Sequence, residues 1–192
     1  MDIMGKPDKI VDSLLVISYK AGDRKALDLL VRRWNHKLCA HAYSYLKDWS
    51  LAKDVTQETW SAVLAKIHRL RDTNSFGSWA MTIVTRKALD VLKKQKNSKS
   101  AMAEQFWNEQ QQVPDPPDTK TAKMERIKAV MAQLSLEHRM VLKLFYLEEY
   151  SLKEISTIVG VSMNTVKTRL FRAREKIKDK LELNTKNHEK RS

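Results

Sequence analysis

A single cysteine, four glycines, four prolines and no long apolar run in 192 residues narrow what this chain can be. With Cys39 alone no internal disulfide can form, and no spaced set of Cys and His marks a structural zinc site, so a reducing cytoplasm is the expected compartment. His36, Cys39 and His41 lie close together, but helical spacing turns His41 away from the other two and the set is one ligand short; no metal or cofactor is expected. No stretch of about eighteen apolar residues occurs, which excludes a membrane-spanning helix. Met1 to Lys9 carries Asp2, Pro7 and Asp8 and has no apolar centre, unlike a secretory leader. Acidic residues are also in short supply: 23 Asp and Glu face 36 Lys and Arg, a formal charge of +13, and the natural partner is a polyanion or an acidic protein surface.

What is present is helical periodicity. Apolar residues recur at three-to-four spacing and no segment alternates as a strand would, so the fold class is all-α. The spacing predicts a first helix over Ile10 to Tyr19, with Leu14, Leu15 and Ile17 among its apolar residues, ending before Gly22. A second follows Asp23 to about Lys47, with Leu27, Leu30, Val31, Trp34, Leu38, Ala42 and Tyr45 as its core stripe. Ser50 is the expected cap of a third, in which Leu51, Val55, Thr59, Val63, Ile67 and Leu70 share one face and Asp54, Gln57, Glu58 and Ser61 another. After the loop Arg71 to Asn74, Ser75 is expected to cap a fourth helix to about Gln95, burying Phe76, Trp79, Ala80, Ile83 and Val91. Four helices make one small domain.

From Asn97 to about Ala122 the periodicity lapses into a Gln- and Asn-rich patch and the run Val113-Pro114-Asp115-Pro116-Pro117-Asp118, the composition of a flexible linker. Periodicity returns at Met124, Ile127, Val130, Met131 and Leu134, and three more helices precede a polar tail, Asn184 to Ser192, expected to be disordered. Within this second domain Ser151-Leu152-Lys153-Glu154 is a capping box, Gly160 supplies a sharp turn and Ser162 caps the next helix. One short helix, a glycine turn and a second helix with Val166 and Leu170 inward constitute a helix-turn-helix. Its outward face displays Asn164, Lys167, Thr168, Arg169 and Arg172, able to reach base edges or phosphates, and Arg174, Lys176, Lys178 and Lys180 extend the charge. The motif indicates DNA binding without specifying the kind of regulator, since repressors, activators and initiation factors all place such a helix in the major groove.

The stretches Asp54 to Trp60, Ser75 to Asp90 and Thr165 to Glu175 together resemble the sigma factors of bacterial RNA polymerase, in the compact extracytoplasmic-function (ECF) group. Asp54-Val55-Thr56-Gln57-Glu58-Thr59-Trp60 resembles the family's Asp-x-x-Gln-Glu-Thr-aromatic motif. Ser75-Phe76-Gly77-Ser78-Trp79, followed by Ala88-Leu89-Asp90, resembles its promoter-opening helix. Thr165-Val166-Lys167-Thr168-Arg169 and Phe171-Arg172-Ala173-Arg174-Glu175 resemble its upstream reader, and the likeness runs in order through nearly all of residues 20–182. It implies that residues 10–96 bind core polymerase and recognise and melt the minus-ten element, that 97–122 link, that 123–183 read the minus-thirty-five element, and that 184–192 form the tail. Asp54, Gln57 and Glu58, an acidic and amide patch at i, i+3 and i+4, would meet a coiled-coil clamp of the polymerase largest subunit. Arg71, Asp72, Thr73, Asn74 and Ser75 would capture a flipped minus-ten base while Arg86, Lys87, Lys93 and Lys94 hold adjacent phosphates; Phe76 and Trp79 are read as core. Asn164, Thr165, Lys167, Thr168, Arg169, Phe171 and Arg172 would face the minus-thirty-five element, and an anti-sigma factor is the implied regulator. The pattern departs from the family at Thr82 and Thr85, where basic residues are frequent, and at Arg86, where Asn is frequent; nothing resembles the extra domains of housekeeping sigma factors.

The two elements lie about 85 Å apart at about 3.4 Å per base-pair step. A coil of about 25 residues averages roughly 30 Å end to end, so the linker must be drawn out and the polymerase must act as scaffold. The alternative left open is an autonomous helix-turn-helix regulator, which would need a dimer interface or a sensing domain. A sigma-like decoy would have lost its basic helix. An enzyme acting on nucleic acid would need clustered carboxylates or an activated nucleophile, and Asp54 with Glu58 on a basic chain is too little.

Overall fold

The structure, a computed structural model, describes residues 7–99, 130, 131 and 133–189. The chain divides into two compact units, and all regular structure among the described residues is helical.

In the first unit α1 spans Pro7–Lys20, wider than expected at both ends. Pro7 stands in the first helical turn, where its missing N–H costs nothing and its fixed φ suits the helix. Gly22, at φ +106°, closes α1, and Asp23 accepts from the Lys25 amide (2.9 Å) to open α2, Arg24–Leu46. The α2 stripe is core as expected: Leu30, Trp34, Leu38, Ala42 and Tyr45 are buried. The third helix, α3, spans Trp49–Lys66, and its cap is Asp48, whose Oδ1 accepts from the Leu51 amide at 3.0 Å, in place of Ser50. A carboxylate in extended backbone just ahead of the helix meets the positive helix end better than a hydroxyl already inside the first turn. Two single turns of 3-10 helix, Ile67–Arg69 and Thr73–Ser75, then lead into α4, Phe76–Lys99. Ser75 does not cap α4 by accepting a bond, and the capping carboxylate nearby belongs to the second 3-10 turn. Asp72 Oδ1 accepts from the Asn74 amide (3.1 Å), and Ser75 Oγ instead donates to the Asp72 carbonyl (2.7 Å).

Phe76 of α4 is fully buried, with its ring edge-on to Trp34 of α2 at 5.9 Å. Each such ring contributes on the order of 2 kcal/mol by leaving water. Ala80 is buried with it, whereas Trp79, Ile83 and Val91 are half-buried. Buried Thr56 and Thr59 donate to the carbonyls of Ala52 and Val55, each at 2.7 Å, so their hydroxyls cost little inside. His41 is buried against Thr85 (Nε2 to Oγ1, 2.8 Å) while His36 is exposed, which separates the sequence cluster with Cys39.

In the C-terminal part of the chain α5 spans Leu136–Leu142 and runs into a π-helical turn, Lys143–Leu147; α6 spans Leu152–Val159 and α7 Met163–Glu189. Met140, Val141, Leu144, Val166, Leu170 and Ala173 are buried. The backbone between α5 and α6 turns through Glu149 at φ +53°, with the Tyr150 amide bonded to the Leu144 carbonyl at 2.9 Å. The α7 backbone stays helical from Asn184 to Glu189, where an unordered tail is expected from composition. That stretch has no Pro or Gly, and once a helix exists each further residue adds a hydrogen bond. Helix α4 likewise continues through residues 97–99, the first of the expected linker; the rest of the linker, with the Pro-rich run, and Met124 and Ile127 lie outside the described residues. Among the described residues no helix is long and apolar enough to cross a membrane, and no group of three or more His, Cys, Asp or Glu side chains could hold a metal ion.

Candidate nucleic-acid interface

The helix-turn-helix is assembled by the bonds its sequence specifies. The Ser151 amide donates to Glu154 Oε2 (2.9 Å) and the Glu154 amide to Ser151 Oγ (3.2 Å), the reciprocal pair of a capping box. Gly160 takes φ +70°, and the Val161 amide returns to the Ser156 carbonyl at 3.1 Å, which closes the end of α6. Ser162 Oγ then accepts from the Thr165 amide (3.1 Å) and starts α7.

With Val166, Leu170 and Ala173 buried, the opposite face of α7 is set by geometry. Asn164, Lys167, Thr168, Phe171 and Arg172 are exposed on it and Thr165 is half-buried at its edge. Phe171 is 63% exposed, an aromatic ring presented to solvent beside cations. Arg169 does not join them: its Nη2 lies 2.8 Å from Glu137 Oε2 of α5, and its side chain is only 21% exposed. Position 169 falls beside the buried stripe, so its guanidinium reaches across to the neighbouring helix rather than outward. Arg174 lies over the rings of Phe145 and Tyr146, 5.8 and 5.6 Å from their centres, a cation–π contact that also holds it to the unit. Lys176 and Lys178 continue the exposed positive charge. Near them the His138 imidazole is held below its ordinary pKa, first by burial, then by Lys176, with Arg169 and Arg172 adding and Glu137 opposing.

In the first unit Asp54, Gln57, Glu58 and Ser61 are all exposed on α3. Arg86, Lys93 and Lys94 are exposed along one side of α4, with Asp90 among them. Lys87, at the edge of that row, gives its Nζ to Glu58 Oε2 at 2.8 Å. The bond and charge of Lys87 hold the Glu58 carboxyl below the usual carboxylate range, with Lys94 adding a smaller pull. In the loop ahead of α4, Arg71, Asp72 and Asn74 are exposed, while Thr73 and Ser75 are half-buried. Thr82 and Thr85, where the resemblance lapses, are buried; Thr82 Oγ1 donates to the Ser78 carbonyl (2.8 Å) and Thr85 meets His41, so neither faces outward. Asp12, Ser13, Tyr19 and Lys20 of α1, none of them a site residue expected from sequence, contact α2 or the α3–α4 connection. The one available signal was a pair of polar residues, Asp12 and Ser13, inside an otherwise apolar helical stretch.

Comparison with known proteins yields matches to two family models, Sigma-70 region 2 over residues 30–98 and Sigma-70, region 4 over residues 124–177. The RNA polymerase sigma factor SigV of Bacillus subtilis is 30% identical over 132 residues, 69% of this chain and 76% of that protein. The ECF RNA polymerase sigma-E factor of Escherichia coli is 26% identical over 185 residues, 91% of this chain and 96% of the relative. Among solved structures, the sigma factor RpoE in complex with the anti-sigma factor NepR from Bartonella quintana superposes with a TM-score of 0.65 at 20% identity, over 82% of this chain and 98% of that one. CnrH in complex with the cytosolic domain of CnrY gives a TM-score of 0.61 at 22% identity, over 90% and 98%. At these identities the two structures speak for the fold.

Proposed function

This chain belongs to the sigma-70 family of RNA polymerase sigma factors, in its ECF group, and from that premise we propose how its residues share the work of starting transcription. As a member of that group it binds core polymerase and directs promoter-specific initiation. Residues 10–96 form the polymerase-binding and minus-ten unit, 97–122 the linker and 123–183 the minus-thirty-five unit. The chain acts by binding; the chemistry is the polymerase's.

The observation that carries the assignment is the groove face of α7, with Asn164, Lys167, Thr168, Phe171 and Arg172 exposed opposite buried Val166 and Leu170. Amide and guanidinium groups can pair with purine edges, and a ring such as Phe171 can contact a thymine methyl. Thr165 caps the edge of that face. Arg169 acts indirectly, by fixing α7 on α5 through Glu137.

The acidic and amide patch of Asp54, Gln57 and Glu58 repels DNA and takes the clamp coiled coil of the polymerase largest subunit. The loop Arg71 to Ser75 receives an unstacked minus-ten base, and Arg86, Lys87, Lys93 and Lys94 hold neighbouring phosphates. Unstacking costs a few kcal/mol, which polar loop groups and cations offset. An anti-sigma factor restrains the protein in the cytoplasm, as the anti-sigma factor NepR is found on the structural relative RpoE.

Run-off transcription tests this reading. Core polymerase with the chain initiates at discrete start sites, whereas core polymerase alone and the chain alone do not. Initiation that ignores the added chain contradicts it.

A further inference from the structure

Helix α1 grips the α3–α4 connection at more than one point. Ser13 Oγ and Thr73 Oγ1 are 2.6 Å apart, and Lys20 Nζ donates to the Leu70 carbonyl. The Tyr19 ring lies 5.5 Å from that of His68. Inside the loop the bonds are local: Asp72 Oδ1 takes the Asn74 amide, and the Asp72 carbonyl takes the Ser75 amide (3.1 Å) and hydroxyl. These shape the turn, and its far end is tied to α4 by the buried Phe76 and by the Ser78 hydroxyl donating to the Ser75 carbonyl (3.1 Å). The α1 contacts hold its near end, at Leu70 and Thr73.

The register of α1 is itself set by a neighbouring pair. Asp12, with its side chain 6% exposed, meets Arg33 Nε of α2 at 2.9 Å. A one-residue slip would rotate α1 by about 100° and take both Asp12 and Ser13 off their partners. The anchored Asp12 therefore holds the adjacent Ser13 towards Thr73. Within the loop Arg71, Asp72 and Asn74 remain exposed while Thr73 turns to α1. The helix lies before residue 30, where the region 2 match starts.

We infer that Ser13, supported by Lys20, is a positioning residue for minus-ten readout: α1 holds the loop in the shape that receives an unstacked base. The inference rests on the proposed role of that loop. A loop ordered in advance loses less freedom on capturing a base, and its donors and acceptors keep the geometry that separates one base from another.

The test uses the full chain assembled with core polymerase on promoters selected by this holoenzyme from a randomised DNA library. Open-complex formation is measured on the preferred minus-ten element and on each single-base variant. Ser13→Ala lowers the selectivity ratio about three- to tenfold, as loss of one hydrogen bond implies, and leaves the ranking of minus-thirty-five variants unchanged. Ser13→Thr, which keeps the hydroxyl, retains most of the ratio. Lys20→Met, which removes the bond to Leu70 without opening the core, lowers it in the same direction. In the free protein the Asn74 and Ser75 amides exchange faster in Ser13→Ala, while α2 and α3 amides keep their protection. Unchanged selectivity and unchanged exchange overturn the inference; so does a uniform loss on every promoter with the loop amides still protected, which makes Ser13 purely structural. Asn74→Ala separates the two layers. If it too leaves minus-ten selectivity intact, the loop is not the reader and the underlying assignment fails. If it lowers selectivity and Ser13→Ala does not, only the positioning role fails.

Discussion

Glu58 of α3 and Lys87 of α4 form an ion pair at 2.8 Å that joins the acidic patch of the first unit to the edge of its basic row. The carboxylate is 66% exposed and Lys87 28%, so the pair adds on the order of 1 kcal/mol or less to stability. Its interest lies in the competition it sets up, since one carboxylate cannot fully serve Lys87 and a basic partner at once. On the proposed roles, polymerase binding at Glu58 would free Lys87 for a phosphate.

Glu58→Lys should therefore weaken binding to core polymerase about ten- to hundredfold, the scale of losing a charge-assisted bond, and leave DNA binding by the separate C-terminal unit as it was. Fluorescence titration of labelled chain with core polymerase measures this. Equal affinities for parent and variant would remove α3 from the polymerase interface.

Arg172 and Arg169 should part company although both stand on α7. Arg172→Ala weakens binding to a minus-thirty-five site by about 1 to 3 kcal/mol if the guanidinium reads a base, and the loss concentrates at one base position. Arg169→Ala loses the Glu137 pair and lowers the melting temperature slightly, with little change in sequence preference. Titrations on single-base variants together with melting curves decide; a base-specific loss in Arg169→Ala would contradict the pairing with Glu137.

Much of this architecture is legible in sequence because it is made by near neighbours. The Ser151–Glu154 capping box, the Gly160 turn and Ser162 act within five residues of their partners, and the α2 stripe from Leu30 to Tyr45 repeats at helical spacing. Periodicity identifies the face that is buried and not the residue that lies across from it. Arg169 reads as outward until Glu137 is seen beside it, and Ser13 reads as incidental until Thr73, sixty positions on, is found at its hydroxyl. Capping is ambiguous for a different reason: Asp48 and Ser50 both supply side-chain oxygens, and the backbone leading into the helix decides between them.

Glu149 sits at φ +53°, a conformation that disfavours a side chain and suits glycine. Glu149→Gly should raise stability by about 0.5 to 1 kcal/mol, the relief being partly offset by the greater freedom glycine gives the unfolded chain. Thermal unfolding checks it, and a lower melting temperature would show that the glutamate side chain compensates for the turn.

His138 ties the second unit to pH. Its folded-state pKa lies below the ordinary value of 6.5 because burial and nearby Lys176, Arg169 and Arg172 disfavour the imidazolium. The unfolded chain therefore takes up the proton first: the contribution is complete above 6.5 and is lost as pH falls through the folded value. NMR titration of the ring should give a midpoint under 6.5, and His138→Gln should flatten the stability profile in that window. A midpoint at or above the ordinary value would contradict the environment described.

Sequencing the DNA that is retained from a randomised pool tests whether the two units act together on polymerase. With core polymerase and the chain, the recovered sites should carry two separate elements at a fixed spacing, one lost on mutating Arg172 and the other on mutating Asn74, and the chain alone should recover neither. Recovery of the same sites by the chain without polymerase, or of a single element at no fixed distance from a start site, would contradict the account.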